Sequence, residues 1–140
     1  MARDGKVEAL RTVGLFSGCS KHELQEIAHL CTQFDFEEGF VLTTQGAPGQ
    51  ECFVIAAGDA KVVIDGEEVA KVGPGDCVGE MSLLDGAPRS ATVTAWTPMT
   101  VYEMSTAEFR SLLGTSPLID RKIMVSLARR LRDAEADRPH

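Results

Sequence analysis

"GEMSLLDGAPRSATV", residues 79–93, carries only three charged groups, Glu80, Asp85 and Arg89. A glycine precedes the first acid. A short apolar run follows, then a second glycine and Pro-Arg-Ser. "MSLLD" is long enough for one helical turn and a little more, and Gly86 can end it in a left-handed conformation. Pro88 pushes Ala87 into an extended shape. "RSATVTA" then alternates apolar and polar like a strand. The string therefore reads as strand, turn, tiny helix, turn, strand. Connections between strands usually take about two to five residues, so a helical excursion here asks for a function.

The chemistry supplies one. The first turn of a helix presents unpaired N–H groups and the positive end of its dipole, which suits an anion. Arg89 offers a planar fork of donors matched to two phosphate oxygens. Glu80, acceptor-only when ionised, suits a hydroxyl donor such as a ribose 2′-OH. Together they describe a sugar phosphate with an anionic end and a free hydroxyl. Taken singly each residue has an ordinary reading. Glu80 can be a plain first-turn acid, and Arg89 a surface group or the partner of Asp85 in an exposed ion pair worth little. The complete string, set in a β-rich region, favours a binding site.

The rest of the chain bounds the possibilities. Its 140 residues fit one domain, 1–140, large enough for a proper core. With 14 basic and 21 acidic residues its net charge is −7, a poor match to nucleic acid or to an anionic membrane. No run approaches the roughly 18 apolar residues of a membrane span. "MARDGKVEAL" lacks the apolar core of a signal peptide, so a cytoplasmic location is expected. Cys19, Cys31, Cys52 and Cys77 form no metal or CxxC spacing, and the last three, set in apolar runs, read as buried free thiols. His22 and His29 share a helix but stand seven apart, too far for a helical metal pair, and read as surface groups.

Three regions follow from the periodicity. Residues 1–32 read as helical, with Ser20 and Glu23 forming a capping box ahead of Leu24, Ile27, Ala28 and Cys31. Residues 33–104 are short runs rich in Val, Ile, Phe and Thr, punctuated by glycine, with Asp65-Gly66 as a two-residue hairpin signal. Such spacing predicts a sandwich, jelly roll or barrel. Residues 105–136 return to helix. Ser105 and Glu108 cap one helix ending near Gly114, and Ser116-Pro117 starts another. The second has an apolar stripe of Ile119, Ile123, Leu127, Leu131 and Ala134, with Met124 beside it. Arg121, Lys122, Arg129, Arg130 and Arg132 occupy the other face.

The 79–93 string resembles the phosphate-binding cassette of cyclic nucleotide-binding domains, the family found in cyclic-AMP receptor regulators, cyclic-nucleotide-dependent kinases and cyclic-nucleotide-gated channels. "LFSGCSKHELQEIAHLC" is similar to the helical lead-in of that family. "EEGFVLTTQGAPGQECFVIAAGDAKVVI" matches its spacing of Gly39, Gly46, Gly49, Phe53, Ile55 and Gly58, and "LARRL" resembles its last helix. The resemblance implies a mainly β fold: an eight-stranded, jelly-roll-like β-roll with N-terminal helices, a short phosphate-binding helix and two C-terminal helices. It also implies roles. Gly79 lets the backbone pass close to the sugar. Glu80 accepts the ribose 2′-hydroxyl, and Arg89 pairs with the cyclic phosphate. Backbone N–H groups of Met81, Ser82 and Ser90 point at phosphate oxygens, the Ser90 hydroxyl assisting. Val78 stands where the family often has phenylalanine, and Ser82 replaces a common alanine. The receptor type has a Thr-Ser pair that touches the adenine; here Ala134 and Glu135 occupy those positions. Arg129, Arg130 or Arg132 is left to stack on the base.

The expected function is a stand-alone regulatory sensor that binds cyclic nucleotide. cAMP is favoured, cGMP is compatible with Ser90, and movement of the C-terminal helices signals to a protein partner. No cofactor, metal, output domain, nucleic-acid contact or catalysis is expected. The competing reading is a ligand-free β-roll serving as an interaction module. A cupin-type enzyme is set aside because the β region holds no histidine. No serine or cysteine has a positioned base.

Overall fold

The computed structural model describes residues 2–80 and 82–136. Helix α1 (Ala2–Arg11), a 3-10 turn (Gly14–Phe16) and α2 (Lys21–Ala28) lead into the strands β1 (Thr32–Phe36), β2 (Val41–Thr43), β3 (Glu51–Ala57), β4 (Ala60–Ile64), β5 (Glu67–Val72) and β6 (Cys77–Val78). The short α3 (Ser82–Asp85) precedes β7 (Thr92–Ala95) and β8 (Met99–Ser105), and α4 (Thr106–Leu112) and α5 (Pro117–Ala136) follow. Among the described residues the strands form two four-stranded antiparallel sheets, β1-β8-β3-β6 and β2-β7-β4-β5. The eight-stranded, mainly β architecture with flanking helices is the one the family resemblance implied.

The local signals explain the element ends. Ser20 accepts from the Glu23 N–H while the Glu23 carboxylate accepts from the Ser20 N–H, and Ser105 and Glu108 repeat the same box. Each box satisfies two orphan donors of a helix start. Asp65 (φ 51°) and Gly66 (φ 82°) are both left-handed, as a tight hairpin between β4 and β5 demands. The Ser116 hydroxyl accepts from Ile119 N at 3.3 Å, capping α5 ahead of Pro117.

β3 shows why the core has two compartments. Phe53 and Ile55 point between the sheets, with Leu42, Ala60, Val78, Val93 and Val101. Cys52 and Val54 point the other way, onto Leu10, Phe16, Ile27, Phe109, Ile119 and Ile123 of the helical layer. A strand buried on both faces loses the in/out alternation of a surface strand, hence the unbroken apolar run "CFVI". Fully burying each such side chain is worth about 1.5–3 kcal/mol. The helices are thereby fastened to the outer face of one sheet, and the side chains between the sheets form a separate core.

The structure defines how far the α5 stripe packs, and it corrects one expectation about the thiols. The apolar stripe of α5 packs through Ile119 and Ile123, which are buried, and half-buried Leu127, while Leu131 and Ala134 beyond it, and Met124 beside it, are exposed. Among the described residues, the distal turns at Leu131 and Ala134 extend past the part of the helix that packs on the core. Of the thiols, Cys31 and Cys52 are buried but Cys77 and Cys19 are half-buried. β6 lies at the edge of its sheet, which leaves one flank of Cys77 uncovered. His22 and His29 are exposed as expected, and His22 pairs with Glu26.

Candidate functional site

The cassette closes one end of the roll around a cavity of about 420 Å³. Its polar lining includes Thr43, Glu80, Ser82, Arg89 and Ser90, and its apolar wall includes Val62, Val72, Val78 and Val93. A mostly apolar hollow with a few converging polar groups is the usual form of a small-molecule site, and the volume falls within the range of about 300–1,000 Å³ for such sites.

The backbone of Arg89 is pinned before its side chain is considered. Its N–H donates to the Ala47 carbonyl and its carbonyl accepts from Gly46 N, both at 2.8 Å. The β2–β3 loop thus holds the cassette like a short strand. Gly49 belongs to the same clamp, since a Cβ there would lie 2.5 Å from Ser82 Oγ. Asp85 does not pair with Arg89. Its carboxylate accepts from the Ala87 N–H at 2.9 Å, folding the turn that Gly86 (φ 64°) permits.

The Arg89 side chain is only 4% exposed. Its Nη2 donates to the Glu51 carbonyl at 2.5 Å and lies 3.3 Å from the Glu51 carboxylate. Nη1 is buried and has no hydrogen-bond partner among the described residues. Guanidinium stays protonated in proteins, so among the described residues this is a buried positive charge satisfied on one side only. Burying such a group is costly unless it is paired. Arg89 is also one of the residues that line the cavity, and an anion there would supply the missing partner.

The remaining candidates fall as follows. Gly79 (φ 81°) and half-buried Glu80 line the cavity, as do buried Ser82 and exposed Ser90. The Ser82 N–H is engaged by the Gly79 carbonyl at 3.1 Å. Met81 and the side chain of Arg130 lie outside the described residues. Arg129 and Arg132 are exposed on α5 and are not among the residues lining the cavity. Sequence reasoning missed Glu51, 38 residues before Arg89. It also missed Thr43, whose hydroxyl donates to the Ala91 carbonyl at 3.0 Å. The one signal for Glu51 was an acid set directly against the apolar run of β3.

Near Glu51 the negative charge is dense. Burial, and then the carboxylates of Glu51 and Glu108, raise the pKa of Glu103 above its ordinary value. Among the described residues no cluster of His, Cys, Asp and Glu could hold a metal ion. No described helix is long and apolar enough to cross a membrane.

Comparison with known proteins points one way. Residues 33–116 match the family described as "Cyclic nucleotide-binding domain". The chain is 30% identical over 130 residues to the CRP-like cAMP-activated global transcriptional regulator of Mycobacterium tuberculosis, covering 89% of this chain and 58% of that protein. It therefore spans just over half of that relative. The crystal structure of the N-terminal domain of a transcriptional regulator from Streptomyces coelicolor A3(2) superposes with a TM-score of 0.85 at 28% identity, covering 94% of this chain and 98% of that one. The regulatory domain of Toxoplasma gondii PKA, solved with cAMP, gives a TM-score of 0.72 at 30% identity, covering 79% and 44%. These relatives are named as regulatory proteins.

Proposed function

The chain belongs to the cyclic nucleotide-binding domain family, and on that premise we propose that it is a sensor module that takes up cAMP, with cGMP as the competing ligand, and responds by moving α4 and α5. The observation that carries this reading is the Arg89 guanidinium, buried and satisfied on one side, with Nη1 unpartnered among the described residues at the cavity. A cyclic phosphate diester bears one negative charge and fits that vacancy of charge better than a neutral ligand would.

In this reading the phosphate sits against Arg89 and the exposed Ser90 hydroxyl. The ribose 2′-hydroxyl donates to Glu80, and Gly79 leaves room for the sugar. The N–H groups of Met81 and Ser90 donate to phosphate oxygens. Ser82 joins them once its N–H leaves the Gly79 carbonyl. The base lies along Val62 and Val72. An arginine of the last helix, Arg129, Arg130 or Arg132, covers it when α5 swings inward, and that movement alters contact with a protein partner. The printed names of two relatives, one cAMP-activated and one solved with cAMP, support the choice of nucleotide.

A thermal-shift comparison tests it. A ligand that binds only the folded state stabilises it by RT ln(1 + [L]/Kd), about 2.7 kcal/mol at a hundredfold excess over Kd. A larger shift with cAMP than with cGMP is expected. No shift at millimolar concentrations of either nucleotide would overturn the proposal.

A further inference from the structure

We infer that the Glu51 carboxylate is a built-in counter-charge that competes with the ligand's phosphate for Arg89 and so limits the affinity of the site. The inference rests on the proposed uptake of a cyclic nucleotide. Its basis is the geometry on the two edges of one guanidinium. Nη2 is occupied by Glu51 twice, by its carbonyl at 2.5 Å and its carboxylate at 3.3 Å. Nη1 has no partner among the described residues.

The two contacts on Nη2 do different things. The carbonyl belongs to the backbone of β3, paired with β8 through Glu51 and Ser105, so it fixes the guanidinium whatever side chain position 51 carries. The carboxylate adds charge. Before the ligand arrives, it neutralises a cation that would otherwise be buried alone. After the ligand arrives, two anions share one cation. The carboxylate therefore stabilises the empty site more than the filled one. A ligand can shift an equilibrium only by its differential interaction with the two states, so removing this charge tightens binding of an anion. Glu51 is one-third exposed, and water screens it in part. The expected gain is accordingly modest.

A residue that merely positioned Arg89 would have the opposite sign, because its loss would weaken binding. Calorimetric titration of cAMP into the wild-type chain and Glu51→Gln separates the two. Glutamine keeps the shape and a neutral acceptor but drops the charge. Glu51→Gln is expected to bind cAMP about 3- to 10-fold more tightly while its ligand-free melting temperature falls. Glu51→Asp, with the carboxylate drawn back from Nη2, is expected to lie between the two. Equal or weaker binding by Glu51→Gln, with the wild-type chain still binding, overturns this inference alone. Failure of both variants to fold also overturns it, since the carbonyl would then be insufficient to hold Arg89. Absence of any cAMP or cGMP binding by the wild-type chain removes the functional reading beneath it.

Discussion

Gly79 and Arg89 compete for the same space: a Cβ built on Gly79 overlaps Nη1 of Arg89 and comes within 3.1 Å of Arg89 Cζ and of the Glu51 carbonyl. The glycine at the head of the cassette is thus the floor on which the guanidinium lies. Its φ of 81° would strain any other residue as well.

Gly79→Ala tests that relationship against Gly39→Ala. Both glycines are left-handed, but a Cβ on Gly39 meets nothing within 4 Å. Each substitution should cost about 1–3 kcal/mol of stability through backbone strain. Only Gly79→Ala should also cut cAMP affinity, by at least about tenfold, the equivalent of 1.4 kcal/mol. Melting curves and titrations on the two variants measure both quantities.

Glu23 fastens α5 to the helical lead-in. Its carboxylate caps α2 and accepts from Lys122 Nζ at 2.5 Å, and the Lys122 stem runs over Gly18, with a Cβ there only 3.7 Å away. The Lys122 hydrogen bond, followed by the backbone bond from Ser20, holds the Glu23 pKa below its ordinary value. A carboxylate depressed in the folded state stabilises fully above the unfolded pKa of about 4.3, and that contribution fades as pH falls through the lower folded value. Acid unfolding should therefore begin at higher pH in Lys122→Met than in the wild type. Glu23→Gln should lose about 1–3 kcal/mol at neutral pH. Urea melts across pH 2–7 check the sign.

The uneven packing of α5 gives a third prediction. Ile123 is 2% exposed and Leu131 66%. Ile123→Ala should destabilise by about 2–4 kcal/mol, and Leu131→Ala by less than about 0.5 kcal/mol. Equal losses would mean that the distal turns are covered in solution.

Much of this was legible in the chain itself. The two capping boxes, the Asp65-Gly66 hairpin and the strand, tiny helix and strand around 79–93 are local patterns, and the structure forms each where the residues call for it. What escaped detection was non-local. The Glu51–Arg89 contact joins positions 38 apart, and nothing in the spacing of "GQECFVI" announces the partner of its acid. The exposure of Leu131 is equally non-local in origin. Helical period reports which face is apolar, but how far a helix has a body to pack against depends on the size of the roll beneath it. The burial of Arg89 was similarly unannounced, because its backbone is held by Gly46 and Ala47 of a different loop and its guanidinium by Glu51 of β3.

The proposed uptake depends most on Arg89 gripping an anionic nucleotide from a buried position. Calorimetric titration of cAMP into the wild-type chain and Arg89→Ala tests that directly. The wild type is predicted to bind one nucleotide per chain, and the variant about 30- to 4,000-fold more weakly, a loss of about 2–5 kcal/mol. Equal affinity in the two chains would contradict it.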